Sequence, residues 1–112
     1  MFLFPLTSFA EVDQSIPKYI AETAKAKGID VQQALYVSWQ ESHWDCTAKG
    51  DYQNGVPTSF GCWQIHNPTQ KKIRPLSIKE AHDLKISTIW SMQTWLEDGS
   101  CRQWTTCPTN DS

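Results

Sequence analysis

The chain has 112 residues, with 10 Lys and Arg against 12 Asp and Glu, and a formal charge of −2. That length holds one domain around one core, and the 39% apolar share is that of a globular rather than a disordered chain. The charge supplies no basic face for nucleic acid, and no apolar run reaches the roughly 20 residues that a membrane-spanning helix needs.

Residues 1–10, MFLFPLTSFA, are apolar and end in Ser8-Phe9-Ala10. The small residues at the first and third positions of that ending suit signal-peptidase cleavage. Residues 1–10 are therefore read as the remnant of an export signal and 11–112 as the folded domain. The alternative is an ordinary apolar segment packed on that domain.

The rest is predicted to be mostly helical. Ser15 caps a first helix, with Pro17 in its first turn and Gly28 ending it. Asp30 followed by Gln33 is a capping-box pattern opening a second helix. Along it Val31, Ala34, Leu35, Ser38, Trp39 and Ser42 recur at helical spacing as a buried stripe. From Thr47 to Phe60 the chain changes character. Gly50-Asp51, Asn54-Gly55 and Pro57 are turn signals, and the segment reads as a small irregular hairpin or a long loop. Gly61–Ile65 re-enters the core. Ser77 with Glu80 is a second capping box, opening a short helix. Asp83 opens a longer one, with Ile86, Ile89, Trp90 and Leu96 expected to face inward and Gly99 to close it. Trp39, Trp90 and Trp95 are read as core.

Four cysteines, Cys46, Cys62, Cys101 and Cys107, are an even set, which export would turn into disulfides. Three pairings exist. A local bridge from Cys101 to Cys107 would staple the short loop between them and leave Cys46 for Cys62. Zinc competes: His43 with Cys46, and Cys62 with His66, stand at spacings that a tetrahedral site accepts. The disulfide reading is preferred, with no metal and no cofactor.

The residues that identify a family lie at the end of the second helix. Glu41-Ser42 closes its stripe, and Ser59-Phe60-Gly61-Cys62-Trp63-Gln64-Ile65 follows 18 residues after Glu41. This combination resembles the lysozyme-like superfamily, most closely its soluble lytic transglycosylase branch. There an E-S pair ends the central helix, and a glycine-led segment carrying a glutamine forms the facing wall. The tail from Gly99 to Trp104 is similar to the family's closing stretch. The resemblance spans roughly residues 16–107. It implies an α+β, predominantly α-helical lysozyme-like fold with a small β-hairpin after the central catalytic helix. It also implies action on peptidoglycan outside the cytoplasm, by a monomer that is secreted or periplasmic. Such a protein serves cell-wall remodelling, a secretion or conjugation machine, or a phage.

The chemistry read from the residues agrees. Ala34, Val37, Ser38 and Glu41 share one helical face, so Glu41 ends a partly apolar stripe between Trp39 and Trp44 in sequence. Desolvation there raises a carboxyl's pKa, as a general acid near neutral pH requires. Glycosidases usually employ two carboxylates. In the animal-type lysozymes the second lies just before the aromatic-Gly of the wall, a place that Ser59 holds here. The resemblance thus implies a one-carboxyl reaction. Glu41 protonates the oxygen between N-acetylmuramic acid and N-acetylglucosamine, the acetamido oxygen attacks C1, and Glu41 then takes the C6 hydroxyl proton as a 1,6-anhydro ring closes.

By the same resemblance Gln64 holds an acetamido or hydroxyl group of the sugar and Ser59 stands near the cleaved bond. His66 takes the place of a sugar-contacting asparagine. Tyr52 and Trp104 are candidates for stacking on sugar rings. The family's late tyrosine near the catalytic glutamate has no counterpart after Tyr52. Two further readings stay open: a hydrolytic lysozyme using Asp51 or Asp45, and a non-catalytic glycan-binding or zinc-stabilised module.

Overall fold

The computed structural model describes residues 13–108, so the proposed export-signal remnant at 1–10 lies outside the described residues. Five helices surround a small sheet: α1 (Ser15–Lys27), α2 (Val31–Ser42), α3 (Asn67–Ile73), α4 (Ile78–His82) and α5 (Leu84–Asp98). The strands β1 (Lys49–Gly50), β2 (Ser59–Phe60) and β3 (Ile65–His66) pair antiparallel in the order β1-β2-β3, between α2 and α3 in the chain.

The helix ends follow local rules. Gly28 adopts φ 74°, where its N–H reaches the carbonyls of Ala24 and Lys25 and ends α1. Asp30 caps α2 by accepting from the Gln33 N–H at 3.0 Å. Ser77 and Glu80 form a complete capping box on α4, and Asp83 caps α5. The start of α1 departs from expectation. Asp13 accepts both the backbone N–H and the hydroxyl of Ser15, at 3.0 and 2.6 Å. A carboxylate two residues upstream captures the serine, which becomes the first helical residue instead of the cap. The short helix α3 has no counterpart among the predicted elements. Its buried Gln70 keeps both ends of its amide paired, with Asn67 and with both backbone groups of Leu76.

The hairpin forms where its turn residues lie. Gln53 and Val56 exchange two backbone hydrogen bonds across Asn54-Gly55, both at positive φ. The register sets Lys49 opposite Phe60 and Ser59 opposite His66. Gly61, at φ 87°, turns the chain from β2 into the wall, and a Cβ there would overlap the carbonyl of Ala81.

The inward face of α5 is the reverse of the predicted one. Ile86, Ile89 and Leu96 are exposed, while Ser87, Thr88, Ser91, Met92, Thr94 and Trp95 are buried. Small hydroxyl residues let α5 pass close through the middle of the core, and several are satisfied locally. Thr94 donates to the Trp90 carbonyl at 3.0 Å, and Thr88 accepts from the Trp63 indole N–H at 3.0 Å. The tryptophans exchange roles too. Trp39, expected inside, is 37% exposed, and Trp90 is half-buried. Trp104, expected on the surface against sugar, is 5% exposed. It donates its indole N–H to the Trp63 carbonyl at 2.8 Å and packs against Trp63 and Trp95.

The cysteines pair Cys46–Cys62 and Cys101–Cys107. The first bridge joins the turn after α2 to the wall between β2 and β3; the second closes the loop after α5. Both thiols of the zinc reading are consumed in the first. Among the described residues no helix is long and apolar enough to cross a membrane.

Candidate active site

A cavity of about 260 Å³ opens where the end of α2, the sheet, α3, α5 and the Cys101–Cys107 loop meet. Glu41 enters it from the last turn of α2, with Asp51, Gln64 and His66 on the sheet side. Ile65 of β3, Thr69, Gln70 and Ile73 of α3, Trp90 of α5, and the loop residues Gln103, Trp104 and Thr105 complete the lining.

Glu41 is held at this spot by its neighbours in the helix. The hydroxyl of Ser42 donates to the Cys62 carbonyl at 2.8 Å, tying the end of α2 to the wall. His43 and Trp44, both at positive φ, then turn the chain away. The Glu41 side chain is half-buried, and its Oε2 accepts the Thr106 hydroxyl at 2.7 Å. Burial pushes its pKa above the ordinary glutamate value. The Thr106 hydrogen bond favours the carboxylate and opposes that shift, while the negative charge of Asp51 adds to it. The group thus holds its proton more tightly than an ordinary glutamate, and it does so at the C-terminal end of a helix, where the dipole also disfavours a carboxylate.

Asp51 follows β1 at φ 50° and accepts a short hydrogen bond from the buried Ser59 hydroxyl. Ser59 is wholly buried and is not part of the cavity lining; its hydroxyl fixes the Asp51 carboxylate from behind. Asp45 is placed differently. It accepts the backbone N–H and hydroxyl of Thr47 at 2.9 and 2.6 Å, which hold its pKa below the usual range, and it does not line the cavity. The alternative pairing of Glu41 with Asp45 loses its geometric basis. The pairing with Asp51 keeps it.

Gln64 lines the cavity, but its amide N–H groups are given to the carbonyls of Ala48 and Gly61 at 3.1 and 3.0 Å. It bridges β1 to the wall, and its Oε1 lies so close to Gly50 that any Cβ there would collide with it. The glutamine thus locks the wall rather than offering free donors to a sugar. His66 lines the cavity with Nδ1 2.8 Å from the Thr69 hydroxyl. Tyr52, 61% exposed on the β1–β2 connection, is not a lining residue. Trp104 lines the cavity but is almost wholly buried, which leaves little of its ring open to stack on a sugar.

Two participants escaped sequence reasoning. Thr106 had no signal beyond its place inside a cysteine-closed loop. Trp90 was assigned to the core by its helical spacing, yet it forms part of the cavity wall. Arg74 holds it there, accepting the Trp90 indole N–H on its carbonyl at 2.8 Å and placing its guanidinium 5.1 Å from the ring centre. Among the described residues no group of three or more His, Cys, Asp or Glu is placed to hold a metal ion. The chain matches no protein-family model, no curated protein and no solved structure.

Proposed function

We propose that this protein is a peptidoglycan-cleaving enzyme of the lysozyme-like type, acting as a lytic transglycosylase on the β-1,4 bond between N-acetylmuramic acid and N-acetylglucosamine. The observation that carries the reading is Glu41. It is a half-buried carboxyl with a raised pKa in the last turn of α2, and it lines a cavity of mixed polar and apolar residues. Support comes also from the layout: a glutamate-terminated helix, then a small antiparallel sheet, then a glycine-led wall tied back to the helix by Ser42. Two disulfides suit an exported protein that works in the periplasm or outside the cell.

Glu41 gives its proton to the O4 of the departing N-acetylglucosamine as the C1–O4 bond breaks. The acetamido oxygen of the muramic residue bonds to C1 in its place. The C6 hydroxyl then displaces that oxygen from C1, Glu41 recovers a proton from it, and a 1,6-anhydro ring remains. No water enters, and the enzyme ends as it began.

One observation favours a second reading, a hydrolytic lysozyme. Asp51 shares the cavity and its charge reaches Glu41, so it could direct a water to C1. Mass spectrometry of muropeptides released from purified peptidoglycan separates the two. Ring closure leaves ends about 18 Da lighter than reducing ends, the mass of one water. The leading reading expects the lighter ends and little change in rate for Asp51→Asn. Reducing ends, with activity abolished by Asp51→Asn, would establish the hydrolase instead, and release of no muropeptides would overturn both.

A further inference from the structure

The group that touches the Glu41 carboxyl comes from 65 residues away in sequence, out of the loop closed by Cys101 and Cys107. That loop has little freedom. The Trp104 N–H donates to the Cys101 carbonyl and the Cys107 N–H to the Trp104 carbonyl, both at 3.0 Å. Trp104 is anchored in the core by its bond to the Trp63 carbonyl. Thr106 therefore lies in the two-residue span between buried Trp104 and Cys107, with its hydroxyl 2.7 Å from Oε2. Oε1 has no hydrogen-bond partner among the described residues.

We propose that Thr106 is a positioning residue for proton delivery: by donating to Oε2 it leaves the transferable proton of Glu41 on Oε1. The argument is elementary. A protonated carboxyl has one carbonyl-type oxygen, which accepts, and one hydroxyl oxygen, which donates. The Thr106 hydroxyl is able to donate or to accept; the proposal is that it donates to Oε2 in the acid as it does in the carboxylate, which puts the acid O–H on Oε1. The proposal rests on the reading of Glu41 as general acid. The rigid loop supplies the preorganisation that proton transfer in a fixed geometry demands.

The groups facing Glu41 across the cavity isolate the effect. Asp51 is the charged one and His66 the other titratable one, both on the sheet side; α3, α5 and the loop present uncharged side chains there. All of these stay constant when Thr106 alone is changed.

The test compares Thr106→Val, which keeps the shape and removes the hydroxyl, with Thr106→Ser, which keeps the hydroxyl. Two readouts are taken: the pH profile of peptidoglycan cleavage, and the NMR titration of the Glu41 side-chain carboxyl carbon without substrate. In Thr106→Val the titration moves to higher pH, because a donor to the carboxylate is lost. The alkaline limb of the profile moves with it, and cleavage at the wild-type optimum falls about 10- to 100-fold. Thr106→Ser restores both. Should the valine variant fail to fold, Thr106→Ala carries the same expectation. Cleavage by the wild type with an unmoved titration and limb in Thr106→Val overturns the role of Thr106 alone. Absence of cleavage by the wild type overturns the enzymatic reading and proton delivery with it, while the titration still registers the hydrogen bond.

Discussion

Glu41 is placed against the interests of the fold. Its carboxyl is half-buried, it sits at the negative end of α2, and among the described residues no cation pairs with it. An acid whose folded pKa lies above its unfolded value holds its proton more tightly when folded. Below the ordinary glutamate range both states are protonated and nothing is lost. As pH rises from there through the raised folded value, the native state must accept a charge it disfavours, and stability falls. Glu41→Gln removes that cost. The variant should melt at a higher temperature than the wild type at neutral pH, with the difference vanishing below about pH 4, where glutamate is protonated in either state. Calorimetry at both pH values checks this. An equal melting temperature at neutral pH would place Glu41 in an ordinary solvated setting and remove the reason to regard it as a tuned acid.

Two short covalent loops carry different burdens. Cys46–Cys62 spans 16 residues and Cys101–Cys107 spans 6. Loop entropy in the unfolded chain then makes the first worth about 3 kcal/mol and the second about 2 kcal/mol. The smaller contributor holds Thr106 and the lining residues Gln103 and Thr105. Replacing both cysteines by serine should therefore cost more stability in the Cys46/Cys62 pair and more cleavage activity in the Cys101/Cys107 pair. Urea denaturation and dye release, at a temperature where both variants are folded, give the two rankings. The same order in both would leave the loop without a role in the site. The elements themselves were legible where their causes are local: the caps at Asp30, Ser77 and Asp83, the glycine stops at Gly28 and Gly99, and the Asn54-Gly55 turn. The face of α5 was not. Apolar spacing pointed Ile86, Ile89 and Leu96 inward, but the interior takes the serine and threonine side, where Thr88 and Thr94 are paired by Trp63 and the Trp90 carbonyl and the Ser91 hydroxyl is buried without a partner. Hydrophobicity alone does not register that a hydroxyl can be satisfied inside.

Across the whole molecule, the site exists only where distant segments converge. Glu41 was legible because the helix that positions it is written in the residues around it. Asp51 was undervalued because a turn aspartate looks the same whether or not a buried serine aims it into a cavity. Thr106 was invisible, since nothing near it in sequence refers to Glu41. The same convergence decides the parts of Ser59 and Trp104: Ser59 is buried and holds Asp51, and Trp104 lines the cavity while packed in the core. The α+β arrangement of helices around one small sheet follows from the sequence; the cavity follows from packing. The claim that Glu41 does chemistry in that cavity is tested most directly by dye release from labelled, purified peptidoglycan, comparing the wild type with Glu41→Gln, both shown folded by circular dichroism. Gln preserves the shape and removes the titrating proton, and in the proposed mechanism one residue serves as acid and then base. Release should fall by at least about 10²–10⁴-fold. A folded Glu41→Gln protein that retains more than about a tenth of wild-type release would contradict the account.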